Sequence, residues 1–318
     1  MLKLDSIDID WLLGGEPFVK YRALIDLLGR KENDKEVIKT KKAIAKHGLI
    51  RRIFDRQNKD GYWGNPKDIY TWWPKKDTTF YLLGILADFG FTKENRKVKR
   101  ACEYVFSAQH SSGGFGVAPP HKPYDCFTGI LTESLSKLGY NDDFRLGKAY
   151  DWLTKRQRLD GGFWCKDTGQ PKRQREHEPS CAFSTLCVLS ALAENPEYKN
   201  SKIVKRVVEF LFKCWDNRGK IKYTGHDSQI GRGWEKLKYP FTDYRILKYL
   251  DTITQFDFAI NDKRIDKMID LLISKRGKDR HFYAESIHKV YSDFDFGQKE
   301  QPSRWITLLV YRIVKRIS

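Results

Sequence analysis

The chain has 318 residues, with 59 lysines and arginines against 41 aspartates and glutamates, a formal net charge of +18. Hydrophobic residues at 40% and aromatics at 14% are ample for a core. No stretch approaches the ~20 apolar residues of a membrane span, and no charged-then-apolar leader opens the sequence. Six cysteines without paired short spacings argue against a secreted disulfide framework and for reduced thiols, so a soluble cytoplasmic protein is expected.

The first predicted helices are Phe18–Leu28 and Asp34–Arg56. The phrase QNKDGYWG follows at 57–64. After it come an apolar helix, Thr78–Gly90, carrying Phe80, Leu82, Leu83, Leu86 and Phe89, and an amphipathic one, Asn95–Ala108. The phrase returns as QHSSGGFG at 109–116, ahead of Phe127–Gly139 and Phe144–Arg156. It returns again as QRLDGGFW at 157–164, ahead of Cys181–Ala193 and Lys202–Cys214. Phe241–Ile253 and Lys263–Lys275 form a later pair, and Trp305–Ile317 is a last, unpaired apolar helix. The glutamines that open the phrases lie 52 and 48 residues apart, a period that marks a repeat architecture. Each phrase holds a glycine turn, where positive φ costs little, and an aromatic that can pack beneath the next unit.

In each repeat the first helix is too apolar for a solvated surface and the second has a charged face. The first helices should therefore form an inner layer and the second an outer one. Six inner helices and at least five outer ones are about enough to close a ring. The expected fold is all-α, a single α/α toroid (barrel) of about six helix pairs forming one domain over residues 1–318.

The phrases, one per helix pair, closely resemble the repeats of the terpenoid cyclase and protein prenyltransferase β-subunit superfamily, from about Trp11 to the C-terminus. The opening WLLGGEPFVKYRAL at Trp11–Leu24 and the ending PSRW at Pro302–Trp305 look like a prokaryotic branch of single-toroid proteins. The resemblance is specific for fold and less so for activity, because one fold carries many chemistries.

Aligning Leu82, Leu86, Phe89 and Gly90 with Leu131, Leu135, Leu138 and Gly139 gives an offset of 49 and sets Asp77 opposite Cys126. Matching the next inner helix at its end near Glu194 puts Cys181 in the same register. The three residues would sit at the starts of successive inner helices, on one rim of a central cavity. There the N–H groups and the helix dipole favour thiolates and anions. Linkers add Asp125, Cys165 and His177. Cys126, Cys165, Cys181 and His177 together suit tetrahedral Zn2+, with Asp77 or Asp125 in a supporting catalytic role. Taken alone, Cys126 and Cys181 read equally well as small buried hydrophobes, and Cys102, Cys187 and Cys214 are assigned to packing.

The resemblance implies more. Prenyltransferase β subunits bind catalytic zinc through Asp-x-Cys at an inner-helix start and a later histidine, with a basic residue before the aspartate holding an isoprenoid diphosphate. Lys122, Asp125, Cys126 and His177 stand at corresponding places. Asp125 and Cys126 are adjacent, however, which turns the pair by ~100° on a helix rather than ~200°. Class II cyclases resemble one another in an Asp-x-Asp-Asp run. The nearest approach here is Asp293-Phe294-Asp295, in a linker and without the doubled carboxylate, so protonation-initiated cyclisation ranks below a metal or anion site. Asp142 and Asp143 read as an N-cap with first-turn charge.

Tyr124, Trp164 and Tyr239 stand beside inner-helix starts, where they either line an apolar substrate cavity or pack repeat on repeat. Arg304 and Arg245 are candidate anion contacts. The basic excess, densest at 155–175, has three readings: a solvated surface, an anionic ligand or membrane surface delivering a lipid, and nucleic acid, which no recognition motif accompanies. Two functions follow. The first is an enzyme for a long apolar, isoprenoid substrate with an anionic head group, working by metal-dependent prenyl transfer or related lyase chemistry. The second is a non-catalytic toroid that grips a peptide or protein partner in its central depression.

Overall fold

Side-chain caps set where many of the helices begin. Asp34, Asn95, Asp143, Asp262 and Ser303 each accept a hydrogen bond from a first-turn N–H, satisfying donors that have no partner within the helix. The computed structural model describes residues 7–65, 77–116, 123–164, 178–221, 233–241 and 244–318. Its helices are α1 (Ile9–Leu13), α2 (Pro17–Arg22, running on as a π-turn over Ala23–Leu27), α3 (Lys35–Lys46), α4 (Gly48–Asp55) and α5 (Thr79–Asp88). They continue as α6 (Arg96–Ser107), α7 (Asp125–Lys137), α8 (Phe144–Thr154), α9 (Ala182–Ala193) and α10 (Lys202–Asp216). The last are α11 (Ile246–Ile253), α12 (Asp257–Ile260), α13 (Lys263–Ile273) and α14 (Arg304–Ile317). Among the described residues the only β-pairing is an isolated antiparallel bridge between Phe163 and Cys181. No helix among them is long and apolar enough to cross a membrane.

The predicted helix pairs are present, with three corrections. The segment from Asp34 to Arg56 is two helices, because His47 is extended (φ −64°, ψ 136°) and Gly48, a weak helix former, begins the second. Arg245 is also extended (φ −136°, ψ 149°) and caps α11, so this helix starts five residues later than Phe241. Cys181 is the cap of α9 rather than its first turn.

The chain groups into two units, Met1–Gln57 with Pro74–Asp77 and Glu235–Ser318, and Asn58–Trp73 with Thr78–Trp234. In the second unit every residue of α9 is buried, and α5 and α7 are buried nearly all round. The helices α6, α8 and α10 instead bury one stripe and expose charge. This is the predicted division into inner and outer layers. The helix α7 packs on α5, α8 and α9. A Cβ on Gly129 would lie 2.7 Å from the Cys187 backbone, so α7 and α9 approach closely only because this residue lacks a side chain.

The phrases are brackets built on one hydrogen-bonding plan. The turn closes by Asn58 N–H to Tyr62 O (2.8 Å), His110 to Gly114 (3.0 Å) and Arg158 to Gly162 (3.0 Å). Gln109 Nε2 donates to Gly113 O and to Arg145 O on α8 (2.7 and 2.8 Å). Gln157 Nε2 does the same to Gly161 O and to Ile203 O on α10 (3.0 and 2.9 Å). The following aromatic then donates its N–H to a threonine hydroxyl: Trp63 to Thr79, Phe115 to Thr128 and Phe163 to Thr185, at 2.8–2.9 Å. A glutamine, a glycine turn and an aromatic thus bind one inner and one outer helix together. Gly113 is at φ 101°, and a Cβ there would meet Lys148 O of α8 at 2.4 Å.

The first unit holds a fourth bracket that lacks both glutamine and turn glycine. Gly277 N–H closes on His281 O at 2.8 Å, Arg276 Nε takes the glutamine's place on Arg280 O (2.8 Å), and Phe282 N–H donates to Thr307 Oγ1 (2.9 Å). In this unit α14 packs on α1, α2 and its π-turn, and α11. Arg312 ties them, donating to both Asp251 oxygens (2.9 and 2.7 Å) and to Asp26 Oδ2 (3.0 Å).

Candidate functional site

The bracket threonines fix the true register of the inner helices. Thr128 N–H bonds Tyr124 O (2.9 Å), Thr185 N–H bonds Cys181 O (3.0 Å) and Thr307 N–H bonds Ser303 O (2.9 Å). Cys181 therefore stands where Tyr124 and Ser303 stand, at the cap, whereas Cys126 lies within the first turn of α7. The predicted common register of the two cysteines is corrected. It was matched on helix ends, and α7 and α9 differ in length, at 13 and 12 residues.

The starts of α7 and α9 are nonetheless joined through the third phrase. Cys181 N–H donates to Phe163 O at 2.9 Å, and the next residue, Trp164, donates its N–H to Asp125 Oδ2 at 3.1 Å. Asp125 Oδ1 accepts from Arg156 Nε at 2.5 Å, and Asp125 is wholly buried. Cys126 and Cys181 are 1% and 4% exposed, and the Cys181 sulfur accepts the Ser184 N–H at 3.3 Å as a helix cap. The Arg158 guanidinium lies 3.9 Å over the buried Trp164 ring. Tyr124 is partly exposed, with its ring 5.0 Å from that of Phe127.

Cys165, His177 and Lys122 lie outside the described residues. Among the described residues no three His, Cys, Asp or Glu side chains form a group that could hold a metal ion, so the two described thiols do not make a zinc site by themselves. Asp77 accepts from Arg56 Nε at 2.6 Å. In the first unit, Tyr239 is 1% exposed, with its ring 4.8 Å from Phe296 and 5.4 Å from Trp305. It is a core residue of that unit. Arg304 opens α14 but is directed to α1, with Nε on Trp11 O at 3.0 Å and the guanidinium 4.8 Å over the Trp11 ring. Burial pushes the Cys102 thiol up to about 12, in keeping with its assignment to packing.

The sequence places Asp295 in a linker, as part of the nearest approach to an Asp-x-Asp-Asp run, a reading that ranks below a metal or anion site. Burial, only partly offset by the Trp305 N–H and reinforced by the Glu16 carboxylate, raises this acid to about 6. Asp295 Oδ2 accepts the Trp305 N–H at 3.0 Å. Asp295 Oδ1, Glu16 Oε2 and His47 Nδ1 are buried atoms without hydrogen-bond partners, and burial holds the His47 imidazole below its ordinary range. Besides the Asp293-Phe294-Asp295 run, the signal in the sequence is the phenylalanine on each side of the acid, Phe294 and Phe296.

Three solved structures similar to the chain are a protein from Actinoplanes (14% identity, 95% of this chain and 90% of that one, TM-score 0.47), a variant of the type II terpene cyclase MstE from Scytonema in complex with geranylgeranyl dihydroxybenzoate (12%, 95% and 85%, 0.45) and a polysaccharide lyase (11%, 99% and 95%, 0.49). No curated protein matches. The model of the squalene-hopene cyclase C-terminal domain matches residues 68–257, more than half of the sequence. Those residues include the second and third brackets and every inner and outer helix from α5 to α11. The chain belongs to the squalene-hopene cyclase C-terminal domain family, in the terpenoid-cyclase superfamily of α/α toroids.

Proposed function

We propose that the protein is an enzyme acting on a long apolar, isoprenoid-type substrate with an anionic head group, with its chemistry at the joined starts of α7 and α9. The observation that carries this reading is the path from Cys181 through Phe163 and Trp164 to Asp125 and Cys126. It gathers two thiols and a carboxylate at two helix N-termini, where the helix dipole favours negative charge. Membership of a cyclase family supports it. Tyr124 supplies aromatic surface for an apolar chain, Trp164 backs the Arg158 guanidinium that lies over it, and Lys122 with Arg158 supplies charge for the head group. Zn2+ held by Cys126, Cys165, Cys181 and His177 would supply Lewis acidity to that site. Asp125 holds Arg156 and the Trp164 backbone in place, and Asp77 holds Arg56. Purified protein should carry stoichiometric zinc, lost in Cys126→Ala and Cys181→Ala without loss of helical circular dichroism, and its organic extract should contain a polyprenyl lipid. Metal-free protein with a lipid-free extract would overturn this reading.

Asp295 favours a second reading, proton-initiated chemistry, because a buried acid that keeps its proton near pH 6 is what alkene protonation requires. Its folded pKa lies above the unfolded value of ~3.9. The folded state therefore binds the proton more tightly, and the stability this gives is full at pH ~4 and lost as pH rises through about 6. Asp295→Asn, which keeps an acceptor for the Trp305 N–H, should abolish that decline and stabilise the protein at pH 7.5 by about 1–3 kcal/mol. Urea titrations of variant and wild type running parallel from pH 4.5 to pH 7.5 would remove the second reading.

A further inference from the structure

An open groove of about 300 Å3 lies in the second unit between α8 and the turn of the second phrase, lined by Ser111, Ser112, Lys148, Trp152, Lys155 and Arg156. Both walls are fixed. Gln109 clamps the turn to Arg145 O at 2.8 Å, and the Gly113 backbone is pressed against Lys148 O. Lys148, Trp152 and Lys155 share one face of α8 at i, i+4 and i+7, and Arg156 follows directly. The Arg156 guanidinium lies 4.4 Å over the Trp152 ring while its Nε is pinned on Asp125 at 2.5 Å.

The third phrase shows why the groove is open here. There Arg206 stands where Lys148 stands, and its Nη2 donates to the turn carbonyls of Arg158 and Leu159 at 3.0 and 2.8 Å. Lys148 instead carries its ammonium 5.3 Å over the Phe144 ring. Three cations line the groove against one carboxylate, Asp151. Both serines are exposed, with the Ser112 hydroxyl 2.8 Å from His110 Nδ1 and the Ser111 hydroxyl a further donor.

We propose that this groove binds a phosphate group, as a phosphomonoester or diphosphate. The ammonium groups of Lys148 and Lys155 neutralise its charge, and the remaining N–H groups of Arg156 and the hydroxyl of Ser111 donate to its oxygens. The groove lies along α8 and meets the start of α7 through Arg156, whose Nε is held by Asp125, but it uses neither thiol, so the proposal does not rest on the reading above.

The test is calorimetric titration of the whole chain with sodium pyrophosphate, beside flotation with phosphatidylcholine vesicles that contain or lack phosphatidic acid. Lys148→Glu/Lys155→Glu should weaken binding by roughly tenfold or more. Lys39→Glu/Lys42→Glu, which changes the net charge equally on α3, should weaken it by less than about twofold. Arg156 is spared because it also anchors Asp125. Groove-dependent pyrophosphate binding without vesicle binding identifies a soluble phosphorylated ligand as the source, and groove-dependent binding to phosphatidic acid vesicles identifies a lipid head group. Failure to bind either probe, or equal loss in the two double variants, would overturn the proposal.

Discussion

Gly147 precedes the groove's Lys148 and Gly113 packs against its carbonyl, and the two predict opposite outcomes for the same change. Gly113→Ala places a methyl group at φ 101° and within 2.4 Å of Lys148 O. It should cost about 2–4 kcal/mol in urea unfolding. Gly147 is inside α8 with nothing within 4 Å of a Cβ, so Gly147→Ala should stabilise by about 0.5–1 kcal/mol. Equal effects of the two changes would show that the bracket does not press on α8. Residue patterns made three brackets legible in the sequence, because glutamine, glycine and aromatic recur at fixed places within each phrase. Their threonine partners were not legible. Thr79, Thr128, Thr185 and Thr307 follow their aromatic residues by 16, 13, 22 and 25 positions, and a variable linker erases any period. The fourth bracket was missed because hydrogen-bond geometry, not residue identity, defines it: Arg276 does the work of glutamine, and Arg280 accepts φ 72° where the others use glycine.

Between helices, the far end of the inner layer depends on one lysine. Lys137 Nζ lies 2.7 Å from Glu133 on its own helix, 3.1 Å from Asp88 on α5 and 3.8 Å from Glu194 after α9, and Glu133 also accepts from Ser190 of α9 at 2.8 Å. Burial works against the Lys137 ammonium, but the Asp88, Glu133 and Glu194 carboxylates overcome it and raise its pKa above the lysine range. This contribution is complete below the unfolded lysine value of ~10.4 and lost only above it. Lys137→Met should therefore cost about 3–5 kcal/mol at pH 7, with a smaller penalty near pH 4, where the three carboxylates begin to protonate. Calorimetry at both values checks this, and a pH-independent penalty would assign the loss to packing. Helix positions and their inner or outer class were readable from apolar periodicity. The relative register of α7 and α9 was not, because two nearly uniform apolar helices offer no unique alignment. Asp125 reads as chemistry in the sequence, yet its partners include Arg156 and a backbone N–H, contacts between residues 31 and 39 positions apart that no local pattern announces.

At the scale of the molecule the two units differ in how the chain builds them. The second is continuous apart from a short interruption, whereas the first takes its helices from both ends of the sequence. Arg312 reaches Asp26 across 286 positions, so the ties that join the two sequence ends of the first unit form only when α14 arrives. Long-range closure of this kind is slow. Stopped-flow refolding followed by pulse-labelling hydrogen exchange should therefore protect amides of α7 and α9 before those of α2 and α11, and simultaneous protection would contradict it. Length and repeat period foretold helix pairs from one end to the other. They could not foretell this uneven assembly, because Asp26, Asp251 and Arg312 look like ordinary surface charges in a linear sequence.

The Trp11–Arg304 and Asp26–Arg312 ties also mean that the covalent order of the first unit is one choice among several. Trp11 lies against the first residue of α14, a helix of 14 residues. The far end of that helix therefore stands about 21 Å from Trp11, a distance that a flexible splice of roughly ten residues can cross. A circular permutant joined head to tail in this way, and cut at the exposed pair Asn141–Asp142, should melt in a single cooperative step. The polar ties would hold together what the peptide bond no longer needs to order.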